Sequence, residues 1–200
     1  MKVLAVLLIS VALFGCVALP PSQTDDICAI FKEKRKWYKE ARRAEKRWGS
    51  PVASMMAIIH QESRFRADAK PTRSRILWII PGPRKSDAYG YPQAKDATWD
   101  WYRKSRGRRG ADRDDFSDAI DFVGWYNVQS NRQNAIALSD IYRLYLAYHE
   151  GHNGYRRGTY QQKSTLKKVA GNVAARADSY QRQLNRCEKS LERGFRLWPF

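Results

Sequence analysis

The segment that most constrains this fold is an apolar run, Met55-Met56-Ala57-Ile58-Ile59, leading into His60-Gln61-Glu62-Ser63-Arg64-Phe65. Ser50 and Pro51 read as its opening, a capping hydroxyl followed by proline at the first helical position. A helix starting there reaches Glu62 in its last turn, where the helix dipole already places negative charge. Apolar neighbours and that dipole both disfavour the ionised carboxyl, so a pKa above about 4.3 is expected. A carboxylic acid kept partly protonated near neutral pH is suited to general-acid chemistry. The competing reading is a solvated glutamate that merely ends a core helix.

Met1 and Lys2 precede an apolar stretch from Val3 to Phe14, followed by Gly15 and Cys16. The stretch is too short to span a membrane stably and reads as a secretory signal. Leu13-Phe14-Gly15-Cys16 resembles a bacterial lipobox. The resemblance implies cleavage before Cys16, acylation of its sulfur and amine, and a lipid anchor. Val17 is not the aspartate that often marks inner-membrane retention, so the expected location is the outer membrane, facing the periplasm. A plain signal peptide or an uncleaved anchor is the alternative. The chain then divides into a leader over 1–15, a tether over 16–26 and one domain over 27–200, long enough for a sizeable core.

Beyond Cys16 the chain has two cysteines, Cys28 and Cys187. In an oxidising compartment an even pair favours a disulfide, here one tying the first mature helix to the last. Loop-entropy arithmetic gives such a link at most about 5 kcal/mol; two buried thiols are the alternative. No histidine–cysteine spacing points to a metal, and no cofactor motif is present. The formal charge is +17, and Lys2 is the only charge lost with the leader. So basic a chain raises nucleic-acid binding, but export argues against it. The polyanions met outside the cytoplasm are cell-wall peptide carboxylates and envelope phosphates. Basic runs such as Lys32-Glu33-Lys34-Arg35-Lys36, Arg42-Arg43 and Arg106-Gly107-Arg108-Arg109 read as solvated faces and loops with a secondary part in wall retention.

Apolar periodicity predicts a mainly α chain. One helix is expected over about 26–48, stopped by Gly49, and the Glu62 helix follows. Residues 71–83 hold Ile76-Leu77-Trp78-Ile79-Ile80 between breakers, as a short strand or a flap. Short helices are expected over about 96–102, opened by Asp96 as an acidic cap, and over 116–126. Another runs from about 134 to 148, with Leu138, Ile141, Tyr142, Tyr145 and Tyr148 on one stripe and Gly151 at its end. A long helix over about 165–187 closes the chain.

Three short motifs follow one another in order. Glu62-Ser63-Arg64-Phe65 after an apolar helix resembles the glutamate-serine-x-phenylalanine motif of lytic transglycosylases of the goose-type lysozyme superfamily. Ala88-Tyr89-Gly90-Tyr91-Pro92-Gln93, with Thr98 beyond, is similar to their glycine-leucine-methionine-glutamine motif. Ala147-Tyr148-His149-Glu150-Gly151 resembles their alanine-tyrosine-asparagine-alanine-glycine motif. The match covers about residues 52–154. It departs at Tyr91 and Pro92, at His149 and Glu150, and in a stretch about a dozen residues longer than usual between the first two motifs, which points to a divergent branch.

The resemblance implies a lysozyme-like single domain with a substrate cleft, acting on peptidoglycan glycan strands without cofactor. It implies that Glu62 protonates the oxygen between N-acetylmuramic acid and N-acetylglucosamine, then acts as base on the muramoyl 6-hydroxyl. The product is a 1,6-anhydro sugar, and the substrate's acetamido group removes the need for a second carboxylate. Ser63, Gln93 and Tyr148 match family positions, with Ser63 contacting saccharide or supporting Glu62, Gln93 lining the cleft, and the Tyr148 hydroxyl able to bond the catalytic carboxyl; His149, where the chain departs from the motif, is expected to bind substrate beside them. Each of the three matches has a structural rival: a helix-terminal hydroxyl, a turn amide, a core tyrosine. Tyr126-Asn127 is a further polar pair, more structural than not. Glu150 poses the main mechanistic alternative, a hydrolytic muramidase with a second carboxylate; Asp87 and Asp96 are weaker candidates for that role. A non-catalytic wall-binding lipoprotein and a charge-driven polyanion binder complete the alternatives.

Overall fold

The computed structural model describes residues 18–76, 80–84 and 86–196. The leader and Cys16 therefore lie outside the described residues, as do Leu77, Trp78 and Ile79 of the apolar run in the 71–83 segment. The described chain is mainly helical, as expected of a lysozyme-like domain of this kind. Its elements are α1 (Ile27–Glu33), α2 (Arg35–Trp48), α3 (Val52–Ser63), β1 (Arg73–Ile76), β2 (Ile80–Arg84), α4 (Asp96–Arg106), α5 (Phe116–Asn134), α6 (Ile141–Arg156) and α7 (Ser164–Arg196).

Helix α3 is the axis of the molecule. Ten of its twelve residues are buried, because α7 and α5 pack against it and α2 crosses its start. A helix apolar on nearly every side is stable only when other elements surround it. Only Gln61 and Glu62 reach solvent, at its C-terminal end. Helices α2 and α6 lie on α5, and α1 and α6 lie on α7. A disulfide joins Cys28 of α1 to Cys187 of α7 across 159 residues.

Several expected boundaries move, each for a local reason. The helix expected over 26–48 is two, broken at Lys34, whose φ of −106° and ψ of 64° are not helical. Asp26 caps the first piece, accepting from the Cys28 and Ala29 amides at 2.8 and 3.2 Å. Ser50 does not cap α3. Its buried hydroxyl accepts from Asn127 Nδ2 at 2.9 Å, while the Val52 amide donates to Glu45 Oε1 at 3.0 Å. Asp96 lies in the first turn of α4 behind Lys95 at the cap. Helices α4, α5 and α7 run further than their apolar stripes, and α6 starts only at Ile141, where Asp140 accepts from the Arg143 amide. Gly151 bends α6 instead of ending it, with φ 73° and ψ 157° between two helical stretches. The 71–83 segment carries an antiparallel pair, β1 with β2, irregular between Arg73 and Arg75.

Candidate active site

Where α3 emerges from the core it meets a cavity of about 470 Å³, walled by the 86–95 segment, α4, α5 and α6. Glu62 lies in it, with Gln93, Thr98, Tyr126, Tyr148 and Glu150 around it. The residue lies deep in the molecule yet keeps partial solvent access through the cleft. Desolvation pushes its pKa up to about 7, and hydrogen bonding from the Tyr145 hydroxyl opposes the rise without cancelling it. Apolar surroundings are thus the dominant influence, as expected for a carboxyl kept neutral as an acid.

The backbone leaving Glu62 is strained. Arg64 and Phe65 have φ of 51° and 60°, two successive left-handed residues that are not glycine. For a bulky residue such as Phe65 this is an outlier that surrounding packing must hold in place. Phe65 is fully buried, with ring centroids 5.8 Å from both Trp37 and His60. Gln93, on the opposite wall, is left-handed as well, with φ 49°. Its Nε2 donates to the Ala69 and Gly90 carbonyls at 2.8 and 2.9 Å. Both amide protons are therefore taken by backbone carbonyls, and Gln93 lines the cavity.

That turn depends on Gly90, whose φ is 74° and where a Cβ would fall 2.2 Å from the Arg113 carbonyl oxygen. Tyr91, which departs from the related motif, is buried with its ring 5.7 Å from Trp37 and from Phe116. Pro92 supplies a carbonyl that accepts from the Tyr148 hydroxyl at 2.6 Å. This corrects the expected role of Tyr148: its single proton goes to Pro92, and the hydroxyl donating toward Glu62 is that of Tyr145, one helical turn earlier. Tyr148 still lines the cavity, where burial and the nearby Glu62 hold its pKa well above 10. Tyr145 was visible in the sequence only as a member of the tyrosine stripe.

Ser63 is in part a second correction. It is buried, and its hydroxyl donates to the Ile59 carbonyl at 3.2 Å within α3. One residue past Glu62 means about 100° around the helix, which turns it away from the cavity. Of its two expected roles this geometry speaks against contact with saccharide and leaves support of Glu62 from the helix end. His149 is half exposed, lies at the rim, and has Nδ1 3.0 Å from Glu150 Oε1. Tyr126 lines the cavity with its ring 5.1 Å from that of Tyr148. Asn127 is fully buried on the Ser50 side.

Glu150 is the second carboxyl in the cavity wall. Lys163 Nζ lies 2.8 Å from both its oxygens, and the Thr159 hydroxyl and His149 complete the set. These partners cover the side chain close to the protein surface. Desolvation alone would raise its pKa, but Lys163, Thr159 and His149 together overcome that and hold it down to about 2. Asp87 and Asp96 do not line the cavity; Asp96 pairs with Arg113 at 2.7 Å. Among the described residues no group of three or more metal-ligating side chains is set to hold an ion, and no helix is long and apolar enough to cross a membrane.

One family model, described as the transglycosylase SLT domain, matches the chain over residues 4–187. The chain belongs to the transglycosylase SLT family. Membership implies transglycosylase activity on peptidoglycan and binding of its glycan strands. No curated protein matches the chain in sequence.

Proposed function

We propose that this SLT domain is a lytic transglycosylase cutting the bond between N-acetylmuramic acid and N-acetylglucosamine, with Glu62 as the only catalytic carboxyl. The observation that carries the proposal is the contrast within one cavity: Glu62 is held near pKa 7 and Glu150 near 2. Environments that push two carboxyls this far apart support different roles for them. Protonated Glu62 gives its proton to the glycosidic oxygen as the bond to the muramoyl anomeric carbon breaks. The carboxylate so formed takes the proton of the muramoyl 6-hydroxyl, whose oxygen closes onto the anomeric carbon. The product is a 1,6-anhydro end, no water is consumed, and Glu62 is again protonated. Glu150 is ill placed to act as nucleophile or water-activating base, because either role requires it to leave Lys163 and Thr159. Its charge serves better to fix the bend of α6 and to orient His149.

Mass spectrometry of digested cell wall tests this. Anhydro-ended muropeptides are expected, and Glu62→Gln should lower their formation by at least about 10²-fold while leaving wall binding in place. Reducing ends would replace the reading with a hydrolase, and full lysis by Glu62→Gln with a different acid. We further propose that the mature chain begins at lipid-modified Cys16 and is held at the periplasmic face of the outer membrane. Radiolabelled palmitate should enter the wild-type protein and not Cys16→Ser; equal labelling, or none in either, rules the anchor out.

A further inference from the structure

Three cavities lie in series around the end of α3. The one at Glu62 shares His149 with a second, of about 540 Å³. The second shares Gln61 with a third, of about 500 Å³. His60, Gln61 and Glu62, successive residues of one turn, thus open onto three neighbouring spaces. The third holds a feature the chemistry at Glu62 does not use. His60 is 6 % exposed, and among the described residues neither ring nitrogen has a hydrogen-bond partner. Buried polar atoms are rarely left unpaired without a reason. Desolvation, with help from the Arg176 charge, lowers its pKa to about 4, so at neutral pH it is an uncharged ring with one N–H to donate.

The same space is bounded by Arg64, Asn172 and Arg176. Arg176 Nη1 is 2.6 Å from Asp25 Oδ1, and His60 Nε2 is 4.0 Å from the same oxygen. Asp25 belongs to the segment before α1, and its side chain is 83 % exposed. A carboxylate therefore already sits against the guanidinium from outside, in a position an external one can take. Arg64 is exposed and has no ion pair among the described residues. Guanidinium forks match carboxylates in shape as well as charge. The second cavity supplies what the path to such a group needs. Gln61, Gln162, Ser164 and Thr165 can bond peptide amides, while Leu166 and Val169 offer an apolar wall for small side chains.

We propose that the third cavity is a carboxylate subsite for the peptide arm borne by the glycan substrate. Arg64 and Arg176 are its cationic walls, His60 its buried polar floor, and the second cavity the path from Glu62. The proposal rests on the transglycosylase reading for the identity of the substrate, but its test does not require catalysis. Titration calorimetry with the tetrapeptide released from cell wall should show binding that weakens at least tenfold when the peptide's carboxylates are amidated. Arg64→Glu should weaken binding of the free peptide about tenfold, and Asp25→Asn should tighten it, since a competing carboxylate is gone. Both side chains are exposed, and circular dichroism of each variant checks that the fold is kept. In turnover, Arg64→Glu should raise KM on peptide-bearing strands at least several-fold more than on strands stripped of peptide. Equal binding of the two peptides, indifference to Arg64→Glu, or an equal KM rise on stripped strands overturns the subsite. Peptide binding without anhydro products would instead count against the transglycosylase reading alone.

Discussion

At the scale of single residues, the protonation state of Glu62 decides the behaviour. If Glu62 is the acid of the proposed mechanism it acts while protonated, so kcat/KM should fall above about pH 7, tenfold per unit, as the carboxyl with a pKa of about 7 ionises. Tyr145 stabilises the ionised form, so Tyr145→Phe should raise that pKa and move the alkaline limb to higher pH. A fall in activity with an unmoved limb would show Tyr145 to be only a packing residue. Stability is linked with the opposite sign to an ordinary salt-bridged carboxylate. The folded state holds this proton more tightly than the unfolded chain does, so stability contributed below about pH 4.5 is lost as pH rises toward 7. Glu62→Gln removes that loss. It should stabilise the protein by at most about 3 kcal/mol above pH 7 and by little at pH 4.5, read from denaturant midpoints at the two pH values. A gain equal at both would place the carboxyl in bulk solvent.

At the scale of elements, two glycines with nearly the same φ separate conformational cost from collision. Gly151 bends α6 at φ 73°, and a Cβ there meets nothing within 4 Å. With ψ 157° that backbone lies outside the left-handed helical well, in a region essentially confined to glycine, so Gly151→Ala should cost about 1–3 kcal/mol in strain alone. Gly90→Ala adds a clash with the Arg113 backbone to the strain of its positive φ, and overpacking of this kind costs about 1–3 kcal/mol more. Urea denaturation of the two variants should rank them in that order, and equal costs would show that the 88–94 turn can shift. What sequence could reveal here follows the same division. The apolar register of α3, the position of Glu62 at its end and the three motifs depend on local spacing, and all were visible. The motif resemblance left Ser63 either a saccharide contact or a support for Glu62, because a motif gives order along the chain and not angle around a helix. The break at Lys34 carries no glycine or proline to mark it. The Tyr145 and Tyr148 hydroxyls lie on one stripe, and only the placement of Pro92 across the cleft decides which proton goes where. The Glu150 cluster depends on Thr159 and Lys163 returning from the loop before α7, a tertiary contact with no sequence period.

At the scale of the whole molecule, the disulfide and the cleft occupy different parts of the fold, which makes stability and activity separable. Cys28 and Cys187 bind α1 to α7, and Ile27, Ile30 and Phe31 of α1 are fully buried beside that link. The cavity is walled by the end of α3, by the 86–95 turn and by α4, α5 and α6, none of which carries a cysteine. Opening the link frees the unfolded chain far more than the folded one, since α1 keeps its apolar contact with α7. For a loop of 159 residues the entropic limit is about 5 kcal/mol, and native bridges generally deliver about 2–5. In a chain of this size each kcal/mol moves Tm by about 2–4 °C. The Cys28→Ser, Cys187→Ser double variant should therefore melt roughly 5–15 °C lower than wild type, while releasing anhydro-muropeptides at an unchanged rate at 20 °C, where both remain folded. Loss of activity at 20 °C in a variant that circular dichroism shows to be fully helical would mean that α1 and α7 transmit strain to Glu62 through α3, and that the bridge is part of the catalytic architecture.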